Sequence, residues 1–275
     1  MKTIFLIFLL LTCVVLVNPD IKNTGWQKGG LKGKVKEQIQ FIYRFEKKIK
    51  ILDEKTISKF NDKGNPTEIE WYYNFDGSLG DRFIYQYDTN GNIAEKESYD
   101  SVGSFSYKNI YKTNSNGDVI EMIRPDSDGA LDYKILYKYD DKYNLIELAN
   151  FNNSGSLNYK TVYQYDENGN KIKEIEYESD GSFQEKDSYT YIYNSKGKMI
   201  EQLLFDEEGN FDWKFTYKYD ENDNIIEMSC YYPTGALRYN VIYKYDTIGN
   251  MIEDAEYTPS GFLKAIIEYQ YTYYE

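Results

Sequence analysis

"YKYDENDNIIE" occupies residues 217–227 and "YKYDTIGNMIE" residues 243–253, nearly the same eleven letters written twice, 26 residues apart. With the glycine of the D-x-x-G-N motif as an anchor, equivalent positions fall at Gly64, Gly91, Gly117, Tyr143, Gly169, Gly197, Asp223 and Gly249, in steps of 27, 26, 26, 26, 28, 26 and 26 residues. A period of this length marks a repeat architecture. Three residues before each anchor stands Asn61, Asp88, Asn114, Asp140, Asp166, Asn194, Asp220 or Asp246. A short acceptor side chain there caps its own turn, and glycine at the anchor supplies the positive φ of a type I turn with a bulge.

A second glycine follows each anchor: Gly77, Gly103, Gly129, Gly155, Gly181, Gly209, Gly235 and Gly261. Two turns per repeat leave about nine residues per strand, so the chain reads as an all-β antiparallel meander of roughly sixteen strands in eight hairpin repeats, forming a coiled or curled sheet. In Leu131–Asp140, Tyr133, Ile135, Tyr137 and Tyr139 alternate with Asp132, Lys134, Leu136 and Lys138, which makes one face apolar and aromatic and the other mostly polar. A four-residue loop from Asx to Gly would place Tyr137 opposite Ile146, Tyr163 opposite Ile172 and Tyr243 opposite Ile252. The same register sets Glu68 against Arg82, Glu95 against Lys108, Glu121 against Lys134, Glu147 against Lys160 and Glu201 against Lys214. It also sets Lys173 against Lys186, a like-charge pair that counts against it. The 27-residue step calls for a bulge near Trp71, whereas the 28-residue step adds an even number and keeps each residue on its face. Residues 31–56, including the alternating Val35–Phe45, read as a capping hairpin ahead of an array at 57–275.

The chain carries 32 basic and 45 acidic residues, a net charge of −13, so a nucleic-acid backbone or an anionic lipid surface is an unfavourable partner. There is no histidine, which removes the commonest base near neutral pH and the commonest neutral metal ligand. The 31 tyrosines argue against disorder despite the charge. Residues 1–17 read as a signal peptide or N-terminal anchor, with Lys2 ahead of the apolar Ile4–Val17, and 18–30 as a linker. The expected location is therefore exported: periplasmic, cell-surface or secreted. Cys13 is a candidate lipid-attachment residue, which would be the route to a membrane. The other cysteine is Cys230, so no intramolecular disulfide is expected once the signal is removed.

The core Y-x-Y-D-x-x-G-N, intact from Tyr163 to Asn170, resembles the YD repeats of the RHS family over about residues 57–275. MORN-type hairpin repeats are a second resemblance. RHS repeats build a β-strip that coils on itself, and in the large toxins of the family the coil becomes a shell around an effector. Here the repeat is longer, eight units are few for a shell, and only "YQYTYYE" follows the last repeat, so the resemblance implies a fold and not the shell's task.

The Asp166 turn and its relatives look like calcium loops, but Lys63, Lys142, Lys196 and Ile248 at the third position cannot be ligands, so they read as turns. No nucleophile elbow, phosphate loop or metal spacing is present, so neither catalysis nor a cofactor is expected. The tyrosine rows form either the inner face of a curled sheet or an aromatic platform. Tyr99, Phe151, Tyr177, Phe205, Tyr231 and Tyr257, eight residues after their anchors, belong to the charged face and are candidate exposed binding aromatics. The expectation is a non-catalytic binding or scaffold module for an envelope protein or glycan, or an accessory that assembles or helps secrete a partner protein. An outer-membrane β-barrel is a minor alternative, opposed by a candidate lipid face interrupted at Glu185 and Asp187.

Overall fold

The computed structural model describes residues 30–73, 77–206 and 208–275; the 1–17 segment, Cys13 and nearly all of the 18–30 linker lie outside them. The chain forms eighteen strands: β1 Val35–Glu46, β2 Ile49–Phe60, β3 Pro66–Tyr73, β4 Ser78–Tyr87, β5 Ile93–Tyr99, β6 Phe105–Thr113, β7 Val119–Pro125, β8 Leu131–Tyr139, β9 Leu145–Asn152, β10 Leu157–Tyr165, β11 Lys171–Glu178, β12 Phe183–Tyr193, β13 Met199–Phe205, β14 Phe211–Tyr219, β15 Ile225–Tyr231, β16 Leu237–Tyr245, β17 Met251–Tyr257 and β18 Leu263–Tyr273. Each pairs antiparallel with the next, and β1 pairs with both β2 and β18. The array is therefore a closed barrel, where the repeat count led to an open coil of sixteen strands. Residues 31–56 contribute β1 and most of β2, which complete the ring, because β1 satisfies the edge that β18 would otherwise leave unpaired.

The turns follow the sequence. Asp166 Oδ1 accepts from the N–H groups of Asn168 and Asn170, both at 2.9 Å, and Oδ2 accepts from Asn170 Nδ2 at 2.8 Å. Gly169 N donates to the Asp166 carbonyl at 3.1 Å with φ +82°. The carboxylate oxygens are thus taken up by the turn itself. The Asn224 side chain and the turn's N–H groups hold the Asp220 carboxyl below its usual range. Tyr143 and Asp223, the two anchors that are not glycine, both adopt φ +66°.

The register differs from the expected one. Tyr139 faces Leu145 and Lys138 faces Glu147, so Ile146 is an extra residue and Tyr137 faces Leu148. Tyr163 and Tyr243 likewise face Glu174 and Asp254. A second bulge, just beyond the turn, causes the shift. It brings Lys138 against Glu147 at 2.6 Å and Lys244 against Glu253 at 2.6 Å. Of the expected pairs, Glu68–Arg82, Glu95–Lys108, Glu147–Lys160 and Glu201–Lys214 form across diagonals, while Lys134 lies 5.5 Å from the Phe151 ring. The 27-residue step is absorbed at Trp71, the extra residue between Glu70 and Tyr72. The 28-residue step brings an irregularity of its own, where Glu174 and Ile175 face Asp187 and Glu185.

The bulge leaves the carbonyl before it outside the ladder, and a tyrosine hydroxyl of the next hairpin takes it. Tyr165 Oη donates to Leu145 O at 2.7 Å, beyond the last rung of β9–β10. The same bond runs from Tyr87 to Pro66, Tyr139 to Val119, Tyr191 to Lys171, Tyr219 to Met199, Tyr245 to Ile225 and Tyr271 to Met251. At the seam, Asn250 is 1% exposed. It accepts from Lys32 N at 2.6 Å and donates to Lys32 O at 2.9 Å, while Tyr274 Oη donates to Phe60 O at 2.6 Å. Leu31 and Val35 are buried there against Phe60, Tyr271 and Tyr274.

Ile84 faces Glu97, which faces Lys108, two residues short of the repeat equivalent Ile110; this steady stagger tilts the strands and closes the sheet. At about 4.8 Å between strands and a tilt of roughly 35–45°, eighteen strands span a circumference of roughly 110 Å and a diameter of about 35 Å. Every strong backbone contact joins strands adjacent around the ring. The barrel therefore encloses a lumen.

Two outcomes follow from the turns and hooks. Gly169→Val should lose about 1 to 3 kcal/mol through positive-φ strain, whereas Tyr143→Gly should gain up to about 1 kcal/mol, both read from urea unfolding midpoints. Tyr139→Phe, which strands the Val119 carbonyl, should lose about 1 to 2 kcal/mol, while Tyr137→Phe on the same strand stays near neutral.

Candidate functional site in the barrel lumen

Cross-strand partners share a face, which fixes what lines each side of the wall. Lys138 with Glu147, Lys218 with Glu227 at 2.9 Å and Lys244 with Glu253 mark the outer side, and these lysine side chains are 58–66% exposed. A belt of such charges is unsuited to lipid contact. The tyrosines that the membrane alternative placed outside point inward. Burial pushes the phenols of Tyr139, Tyr163 and Tyr217 up to about 12 and those of Tyr85 and Tyr243 higher still, so they act as neutral hydrogen-bonding rings.

The aromatics expected to be exposed form one half-buried outer row. Cations cap several of them: Arg82 over Tyr99 at 5.9 Å, Lys160 over Tyr177 at 4.9 Å and Lys214 over Tyr231 at 5.5 Å, as Lys134 does Phe151. Phe205 packs against Phe211 at 6.0 Å, and Tyr257 faces Asn240. The structure thus spreads these six around the outside of the ring and does not bring them together as one patch.

Charged groups break the inner face in two places. On β5–β7, Lys96 faces Tyr85 and Asn109, and Arg124 faces Tyr133. Lys96 Nζ lies 4.1 Å from the Phe83 ring centroid, and Arg124 Cζ lies 3.7 Å from that of Tyr107 and 4.9 Å from that of Tyr133. Arg124 Nε donates to Asn109 Oδ1 at 3.0 Å. Burial, with the neighbouring Arg124 charge, pulls the Lys96 ammonium below its usual range. On β17, Asp254 and Glu256 are 4% and 7% exposed. Glu256 pairs with Lys264 at 2.7 Å, while burial and then the Glu256 charge push the Asp254 carboxyl up to about 7.

Lys96 and Asp254 both stand five residues after their anchors, and Arg124 and Glu256 both stand seven after theirs. Repeat symmetry thus sets them at matching heights, six to eight strands apart around a ring of eighteen. Sequence reasoning missed all four. The available signal was a charge at offset five or seven, positions that alternation assigns to the tyrosine face.

No protein family model and no curated protein matches the chain. Among solved structures, it is similar to a porin-like protein from Bacteroides uniformis, at 11% identity over 88% of this chain and 99% of that one, with a TM-score of 0.48. A putative outer membrane lipoprotein-sorting protein domain from Vibrio parahaemolyticus aligns at 10% identity over 86% and 85%, with a TM-score of 0.30. The Photorhabdus luminescens Tc holotoxin pore aligns at 12% over 78% of this chain and 15% of that one, with a TM-score of 0.23. Superpositions this loose assign no activity, and the architecture rests on the chain's own strand pairing.

Because the Asp254 carboxyl is raised, the folded protein binds its proton more tightly than the unfolded chain does. Stability should therefore be highest near pH 4 and fall as pH rises toward 7, by at most about 4 kcal/mol. Asp254→Asn should flatten that slope in thermal melts taken across pH 4 to 8.

Proposed function

We propose that this protein is an exported, non-catalytic binding barrel that holds an envelope glycan in its lumen. The observation that carries this reading is the combination of a closed ring of eighteen strands with an inner wall of tyrosines interleaved with Asn109, Asn150, Gln202 and a few charges. Aromatic rings offer flat apolar area with little entropy loss, and the phenol and amide groups supply hydrogen bonds at its margins, a pairing suited to sugar rings. The width of the lumen suits a chain of such rings. Export rests on Lys2 and the apolar 4–17 stretch.

Isothermal titration of the full chain with oligosaccharides released from bacterial envelope should show saturable binding. Tyr137→Ser in the lumen should weaken it about tenfold or more, while Phe151→Ala on the outer row leaves it unchanged. The opposite ranking would move the site to the outside, and no binding by any oligosaccharide would refute the glycan reading in favour of a scaffold.

A further inference from the structure

We infer that Lys96 and Arg124 form an anion-binding subsite in the lumen wall that recognises the carboxylate of an acidic sugar ring. The inference rests on the lumenal-glycan reading and narrows it to a ligand class.

The starting observation is an imbalance of partners. In a chain of net charge −13, acids outnumber bases, and outward lysines such as Lys138, Lys218 and Lys244 each meet a carboxylate. Lys96 and Arg124 have none within ion-pair distance among the described residues. Their cross-strand neighbours are Tyr85, Asn109 and Tyr133, and the one hydrogen bond of Arg124 goes to the amide oxygen of Asn109. Asn109 is 7% exposed, lies directly opposite Lys96 and takes the Arg124 proton, so it ties the two cations into one site. Placing two like charges together on a partly desolvated wall works against folding. Folding alone therefore does not account for the pair, and a ligand anion would.

The surroundings select the kind of anion. Tyr107 and Tyr133 lie 3.7 and 4.9 Å from the guanidinium carbon of Arg124, and Phe83 and Tyr85 lie 4.1 and 5.7 Å from the Lys96 ammonium. The aromatic planes fix the direction of both cationic heads and leave the remaining guanidinium N–H groups for a planar acceptor, which a carboxylate matches in bidentate fashion. Both side chains keep some accessible surface, so the site is open to the lumen. Across the ring, Asp254 and Glu256 stand at the corresponding height, which repels an acidic ligand from that wall and directs it to this one.

The test is titration of the full chain with an oligogalacturonate and with the matching neutral galactose oligosaccharide at low and at high salt. The acidic ligand should bind about tenfold or more tightly than the neutral one at low salt, and the advantage should shrink as salt rises. Lys96→Met and Arg124→Gln should each remove most of that advantage, Lys138→Met on the outer wall should leave it intact, and Lys96→Met should melt no lower than the parent. Should Lys96→Met fail to fold, Arg124→Gln and the salt dependence carry the same test. Equal binding of the two ligands, or an advantage that survives both lumenal substitutions, would overturn the subsite and leave the lumenal reading standing. Binding of neither ligand would overturn the subsite and also count against the glycan reading.

Discussion

The hydrogen bond from a tyrosine hydroxyl to the carbonyl left outside the ladder by the neighbouring bulge governs this barrel. Every antiparallel repeat array must settle how one hairpin is held to the next at the turn end, where ladder bonds run out. Here the bulge after each Asx turn frees a carbonyl, as at Leu145, and the next hairpin delivers a phenol to it, as from Tyr165. Phenylalanine would fill the same space without the bond, and valine would not reach. The high tyrosine content is thus a structural demand on register. Thr113 stands at the equivalent position of its repeat, and no hook is found there among the described residues.

The hooks lie on the inner face, so the arrangement that fixes the strands also sets the character of the lumen. A wall of phenols is apolar enough to hold its shape and polar enough to stay wet, which lets a hollow barrel exist without a packed hydrophobic centre. The small clusters that are fully buried, Leu31 with Val35 and Cys230 with Tyr239 and Val241, lie at the seam and within the wall. Water solubility is left to the outer ladder of lysines and glutamates, each pair of which contributes little by itself.

Much of this was legible in the sequence, for identifiable reasons. Asx and glycine at fixed spacing announce turns because few other residues accept positive φ, and an odd step of 27 residues can be absorbed only by a bulge, as at Trp71. The second bulge carried no such mark. Ile146 adopts a conformation open to any residue, so nothing in "NLIEL" separates it from a plain strand. Closure was hidden for another reason: β1 lies outside the periodic array and its pairing with β18 joins residues more than 200 positions apart, from Glu37 with Thr272 to Arg44 with Ala265. The lumenal charges were visible as letters but not as a site. Lys96, Arg124 and Asp254 acquire meaning only once the ring brings separate repeats to face a shared interior.

Closure through the first and last strands also governs how the chain comes to be folded. Until β18 is available, β1 has one partner, and a sheet of up to seventeen strands presents two open edges to other chains. The final residues of the polypeptide are therefore needed to finish a structure whose first strand was made at the outset. Such long-range pairing is slow, because its loop entropy is lost before the contact forms. The buried Asn250 clasp on Lys32 gives the returning end a hydrogen-bonded docking point, so the ring can latch at one corner before the remaining rungs of the seam zip shut.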